Sequence, residues 1–152
     1  MTVEINIPNL KNFERGLQSF PKKLAKKILN LALKKGAQVL SEAIKKEVPV
    51  RLGALKESID DKGKKVSDVE QIHIVGSYNK PGSKQPTNYA HLVEYGHKWV
   101  VMRGKKVIAA GTKAPQPYMR PAFDTSKDEI QNVIAETIGA AAAKEWKKVT
   151  NG

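Results

Sequence analysis

The stretch KKLAKKILNLALKKGAQVLSEAIKKEV, residues 22–48, decides the fold. Leu24, Ile28 and Leu31 recur at helical spacing as one ridge, and Leu29, Leu33, Ala37, Leu40 and Ile44 form an adjacent one. Lys22, Lys23, Lys26, Lys27, Lys34, Lys35, Lys45 and Lys46 fill much of the opposite side. Pro21 stands near the first turn, where its missing N–H costs nothing. Val48-Pro49 closes the helix, because a residue before proline is pushed out of the helical region. Such a helix is ~40 Å long. A small sheet cannot cover all of it, so part of its surface is expected to meet another subunit. Gly36-Ala37 leaves room for a neighbouring backbone to approach closely.

Outward from this helix, residues 1–20 form an N-terminal arm, and the polar, lysine-rich Asp60–Lys65 reads as a loop. Gln71-Ile72-His73-Ile74-Val75 alternates as a half-buried strand ending at Gly76. Ser77–Asn88 holds two prolines, one glycine and no aliphatic side chain, which predicts a mobile surface loop. Order resumes at Tyr89–Tyr95, read as a strand carrying Glu94. Trp99–Met102 and Lys106–Ala110 flank Arg103-Gly104-Lys105 and read as a β-hairpin over 99–110 with a basic tip.

Pro115, Pro117 and Pro121 then predict a short extended crossover that delivers Phe123 to the core. The last helix is expected from Asp124 or Thr125, with Asp124, Asp128 and Glu129 in or beside its first turn and Lys144, Lys147 and Lys148 in its last turns. Ile130, Ile134, Ile138, Ala142 and Trp146 make its apolar stripe. The expectation is a single α+β domain over residues 1–152, with a long N-terminal helix and a C-terminal helix packed on one face of a small antiparallel β-sheet.

Composition narrows the chemistry. The absence of Cys excludes disulfides, thiol catalysis and cysteine-ligated metal centres. The N-terminal residues lack the apolar run of a signal peptide, and the most apolar stretch, Ile134–Ala143, is interrupted by Glu136 and Thr137, so no membrane partner is expected. With no Cys and no leader, the chain reads as a soluble intracellular product. The net charge of +12 combines 15 basic against 7 acidic residues up to Lys65 with 12 against 8 beyond it. A charge of that size concentrates polyanions, either nucleic acid or an acidic protein surface; a solvated lysine face is the plainer reading.

No catalytic or cofactor-binding constellation emerges. His91-Leu92-Val93-Glu94-Tyr95-Gly96-His97 places its histidines six residues apart, whereas a zinc-protease helix needs them one turn apart with Glu between. There is no G-x-S-x-G elbow and no phosphate-binding glycine loop. Glu94 and His91 could serve a small basic RNase as base and acid, and that alternative stays open beside a stand-alone nucleic-acid-binding protein. No helix–turn–helix or basic-zipper pattern supports base readout.

Three segments carry a family resemblance. Val48–Ile59 (VPVRLGALKESI) resembles the P-x-x-T-G-x-L-x-x-S-I segment of the head–tail joining or tail-completion (neck) proteins of long-tailed bacteriophages, to which the lambda minor tail protein Z is also similar. Tyr89–Gly96 (YAHLVEYG), preceded by Val75-Gly76-Ser77, resembles that family's Y-A-x-x-V-E-[FY]-G. Pro115–Phe123 (PQPYMRPAF) resembles its P-x-P-[FY]-[LM]-R-P-A-[FL]. Leu52 departs from the family's Thr, and His97 from a small hydroxyl residue.

The resemblance implies a non-enzymatic virion protein without cofactor or metal. It implies a neck or tail location, assembly in the host cytoplasm, and a homo-oligomeric ring touching other phage neck and tail proteins. Gly53, Tyr89, Glu94, Gly96, Pro117 and Pro121 then read as shape-setting or interface residues. Glu94 is either a solvated strand carboxylate or the partner of Arg120 or Arg51. Lys80, Lys84, Arg103, Lys105 and Lys106 are placed at a DNA-conducting lumen or at an acidic partner ring.

Overall fold

The computed structural model describes residues 21–49, 51, 53–65, 71–79, 81–82 and 86–150. The N-terminal arm, Lys80, Lys84 and Leu52 lie outside these. The elements run α1 (Lys22–Glu47), α2 (Gly53–Ser58), β1 (Ile59–Lys65), β2 (Gln71–Ser77), α3 (Thr87–Tyr95), β3 (His97–Arg103), β4 (Lys106–Lys113) and α4 (Met119–Thr150). This is the expected α+β class with long helices near both ends. The strands form two separate antiparallel pairs, β1–β2 and β3–β4.

Helices α1 and α4 pack along each other, and most of the core is theirs. Ile28 and Ala32 of α1 meet Ile130, Ile134 and Ile138 of α4, with Leu24, Leu29, Leu33 and Ala141 beside them. Leu31, expected on the apolar ridge, is exposed, and the buried stripe runs through Ala32 and Gly36 instead. A Cβ at Gly36 would come within 2.8 Å of Ile134 Cδ1 and Cγ1, so the close approach expected there is to α4 of the same chain.

A second cluster sits where α1 ends. Ile44, Val48, Leu55, Ile59, Ala90, Tyr118 and Ala122 are buried together, drawing on α1, α2, β1, α3 and the start of α4. All three resembling segments converge on this cluster.

Four local expectations are corrected. Asp60–Lys65 is a strand, not a loop, paired with β2 from Ile59↔Ser77 to Lys65↔Gln71. Its residues carry little strand propensity, and pairing above α1 overrides that. Tyr89–Tyr95 lies in a helix, Thr87–Tyr95, not a strand, and Thr87 and Asn88 of the expected 77–88 loop form its start. Aromatic and β-branched residues there mimic a strand, but Ala90 and Val93 share one helical face against the core.

The third correction moves the start of the last helix to Met119, which puts Pro121 inside its first turn. A proline is tolerated there because that N–H has no intrahelical partner. The residues delivered to the core are Tyr118 and Ala122, both fully buried, while Phe123 is half-buried. Asp124, Asp128 and Glu129 therefore stand beyond the first turn, exposed. The fourth concerns Gly53, which opens α2 without a positive φ and with nothing within 4 Å of the place a Cβ would take, so no turn requires glycine there.

The β1–β2 pair also inverts the usual pattern. Its exposed face carries Ile72 and Ile74, whereas His73 turns inward toward α1. His73 Nδ1 lies 3.3 Å from Asp61 Oδ2, and its Nε2 meets the Asn30 side-chain amide at 3.0 Å. Gly63, opposite His73, leaves room for the ring, since a Cβ would lie 3.0 Å from it.

Gly36→Leu is expected to lower the unfolding free energy in urea by about 3 kcal/mol through overpacking against Ile134. Gly53→Ala is expected to stay within about 0.5 kcal/mol of the parent.

Candidate functional site

The residues of the second and third resembling segments meet where α3, the return from β4 and the N-terminus of α4 come together. A helix N-terminus leaves its first N–H groups without intrahelical partners. Here Glu94 supplies an acceptor from α3: Tyr118 N–H and Met119 N–H both donate to Glu94 Oε2, at 2.8 and 3.1 Å. The positive end of the α4 dipole adds to this attraction. Glu94 is thus a helix cap provided by another element, rather than a solvated strand carboxylate or an ion-pair partner of Arg120 or Arg51.

Tyr118 locks the same junction. Its ring is fully buried, and its hydroxyl donates to Ala90 O at 3.4 Å. Burial pushes the Tyr118 hydroxyl up to about 12, with the Glu94 charge and Tyr89 adding to the effect. Gln116 N–H donates to Val93 O at 2.8 Å, tying the segment after β4 to α3. Gly96 makes the sharp exit from α3 at φ 73°, and a Cβ there would lie 2.6 Å from Lys113 O. Pro117 is exposed just before Tyr118, and Tyr89 packs half-buried against the cluster.

The first segment is built the same way. Leu55 and Ile59 fill the core, and Ser58 Oγ–H donates to Leu55 O at 2.6 Å. Ser77 Oγ lies 2.7 Å from Ser58 Oγ, so with the Ser58 proton already used, the Ser77 hydroxyl is the donor.

A cavity of about 230 Å³ opens beside the cap, lined by Ser77, Thr87, His91, Glu94, Tyr95 and Met119 among others. His91 is exposed on α3, and Glu94, which lines the same cavity, already holds two backbone N–H groups. His97 Nδ1 lies 3.4 Å from Leu92 O. Among the described residues no group of three His, Asp or Glu side chains could hold a metal ion. No helix among them is long and apolar enough to cross a membrane.

The other conspicuous feature is the β3–β4 hairpin. It spans 97–113, longer than the expected 99–110, and turns at Gly104, φ 61°. Nearly every residue on both of its faces is exposed, including Val100, Met102, Val107 and Ile108 at 55–59%. Arg103, Lys105 and Lys106 cluster at the tip. Trp99 lies across Gly111, where a Cβ would be 2.7 Å from its Nε1. The structure thus brings Glu94, Tyr89, Gly96 and Pro121 to one junction and leaves the three tip cations apart from it.

A family model described as "Bacteriophage HK97-gp10, putative tail-component" matches residues 11–96, just over half of the chain. The chain belongs to this phage tail-component family. The matched segment covers α1 to α3 and the first two resembling motifs, and ends at Gly96, before the hairpin. No curated protein and no solved structure matches the chain.

Removing the cap with Glu94→Ala is expected to cost about 2 kcal/mol, and Glu94→Gln less than that, measured by urea unfolding. The Tyr118 hydroxyl has a folded value above its ordinary 10, so its contribution to stability is complete below pH 10 and is lost as pH rises toward 12. Tyr118→Phe should flatten the stability profile across that window.

Proposed function

We propose that this tail-component family member is a structural virion protein that completes the tail or neck and joins the tail to the head as part of an oligomeric ring, in the manner of tail-completion proteins such as the lambda minor tail protein Z. It acts without turnover and without a cofactor. The observation that carries the reading is the division of labour in the chain. The segments resembling the neck proteins are consumed in packing and capping, through Leu55, Ser58, Ala90, Glu94 and Tyr118. What faces outward is an apolar hairpin with a basic tip.

The proposed location is the neck or tail of the virion, assembled in the host cytoplasm from an active phage or a prophage. Its partners are further copies of itself and other neck and tail proteins. Lys80 and Lys84, with the remaining basic excess, are assigned to weak, salt-sensitive contact with DNA passing through the lumen, where phosphates are met without base readout. The enzymatic reading is less well supported, because Glu94, the carboxylate it would use as base, is engaged by two backbone donors.

Deleting the coding region from a producing phage tests this directly. Full heads and separate tails should accumulate, and the purified protein should restore joining in an extract. Normal joined particles from the deletion would refute the reading. RNA cleavage by the pure protein, lost on His91→Ala, would favour the RNase instead.

A further inference from the structure

The hairpin cannot be a finished element as it stands. An isolated two-stranded hairpin is marginal in water, and this one exposes Val100, Met102, Val107 and Ile108 with little else covering it. Its charge is one-sided. From Gly96 to Phe123 the chain has no acidic residue, and the hairpin carries Lys98, Arg103, Lys105, Lys106 and Lys113.

A surface with the opposite character lies on the same molecule. Because α4 starts at Met119, Asp128, Glu129 and Glu136 stand along its outer side. Beyond Glu136 that side flattens into Gly139, Ala140 and Ala143. Among the described residues, neither the three carboxylates nor the three tip cations form an ion pair within the chain.

The dimensions agree as well. Strands of seven and eight residues make the hairpin ~23 Å long. Helix α4 from Asp128 to Ala143 is ~22 Å long. The competing exposed apolar face, Ile72 and Ile74 on β2, has Lys64 and Lys62 directly across from them on β1, the same sign as the hairpin.

The structure assigns the occupant of the hairpin surface to a second copy of this chain: the β3–β4 hairpin of one subunit lies along the outer side of α4 in the next. Its tip cations face Asp128, Glu129 and Glu136, and its apolar body covers Gly139, Ala140 and Ala143. The two patches differ, so the contact is head-to-tail and propagates around a closed ring. This rests on the ring reading above and supplies the contact that closes it.

Charge reversal on each side tests it. Arg103→Glu/Lys105→Glu/Lys106→Glu makes an acidic hairpin, and Asp128→Lys/Glu129→Lys/Glu136→Lys makes a basic α4. Each triple variant alone should weaken self-association at least ~10-fold by sedimentation or native mass. Mixing the two should restore assembly, because each hairpin then meets an opposite surface, and so should all six changes in one chain. Thermal unfolding of each variant separates assembly defects from misfolding, and restoration by mixing cannot arise from misfolded chains. Since the chain has no Cys, Val100→Cys with Ala140→Cys should also yield disulfide-linked oligomers under oxidation.

If the parent assembles but ignores both triple variants and forms no such cross-link, this contact is wrong while the ring reading stands. A parent that stays monomeric, alone and in tail-assembly extracts, overturns both. Loss of DNA binding from the hairpin variant with assembly intact assigns the tip to nucleic acid and overturns the inference.

Discussion

The structure depends on one carboxylate reaching from one helix to the open end of another. Helix α4 is the longest element, and its first N–H groups would face the α3 junction without acceptors. Glu94 provides the acceptor, and Tyr118 fills the space behind it. With that junction closed, α4 lies along α1, where Gly36 admits Ile134. The hairpin leaves α3 through Gly96 and returns under the hydrogen bond from Gln116 to Val93. The carboxylate that stands between two histidines in the sequence here caps the N-terminus of a helix.

The long helices were legible in the sequence because burial at a period of 3.6 leaves an unambiguous trace, as in Ile28 on α1 and Ile130, Ile134 and Ile138 on α4. The hairpin was legible from its turn chemistry around Gly104. The start of α4 was not, because its cap is Glu94, far back in the chain, and local reading favoured the nearby Asp124 and Thr125. Those residues do other things: Thr125 Oγ1 bonds back to Pro121 O at 3.0 Å within the helix. Strand β1 was hidden for a related reason. Apart from Ile59 it has no apolar residue, and its place is set by pairing with β2 and by the inward His73. The junction residues could be singled out by resemblance, but Glu94's partners are backbone groups, which leave no mark in a sequence.

Function follows from what this architecture leaves over. The core accounts for the resembling segments, and among the described residues two surfaces remain unusually apolar for exposed sheet: the outer face of β2 and both sides of the β3–β4 hairpin. A monomer that kept them in water would carry a standing cost, because contiguous exposed apolar surface favours association. The chain belongs to a phage tail-component family, and the ring proposed above would cover such surfaces. In that proposed ring the basic excess would meet carboxylates of a neighbour or phosphates in the lumen.

Amide hydrogen exchange on the free protein, read residue by residue, tests most directly the claim that the Glu94 junction is the frame and the hairpin an element awaiting its cover. The amides of Tyr118 and Met119 are expected to exchange only through global opening, as slowly as those of Ile134, while those of Val100 to Ala110 exchange much faster. Rapid exchange at Tyr118 and Met119, or a hairpin protected as strongly as the helical core, would contradict it.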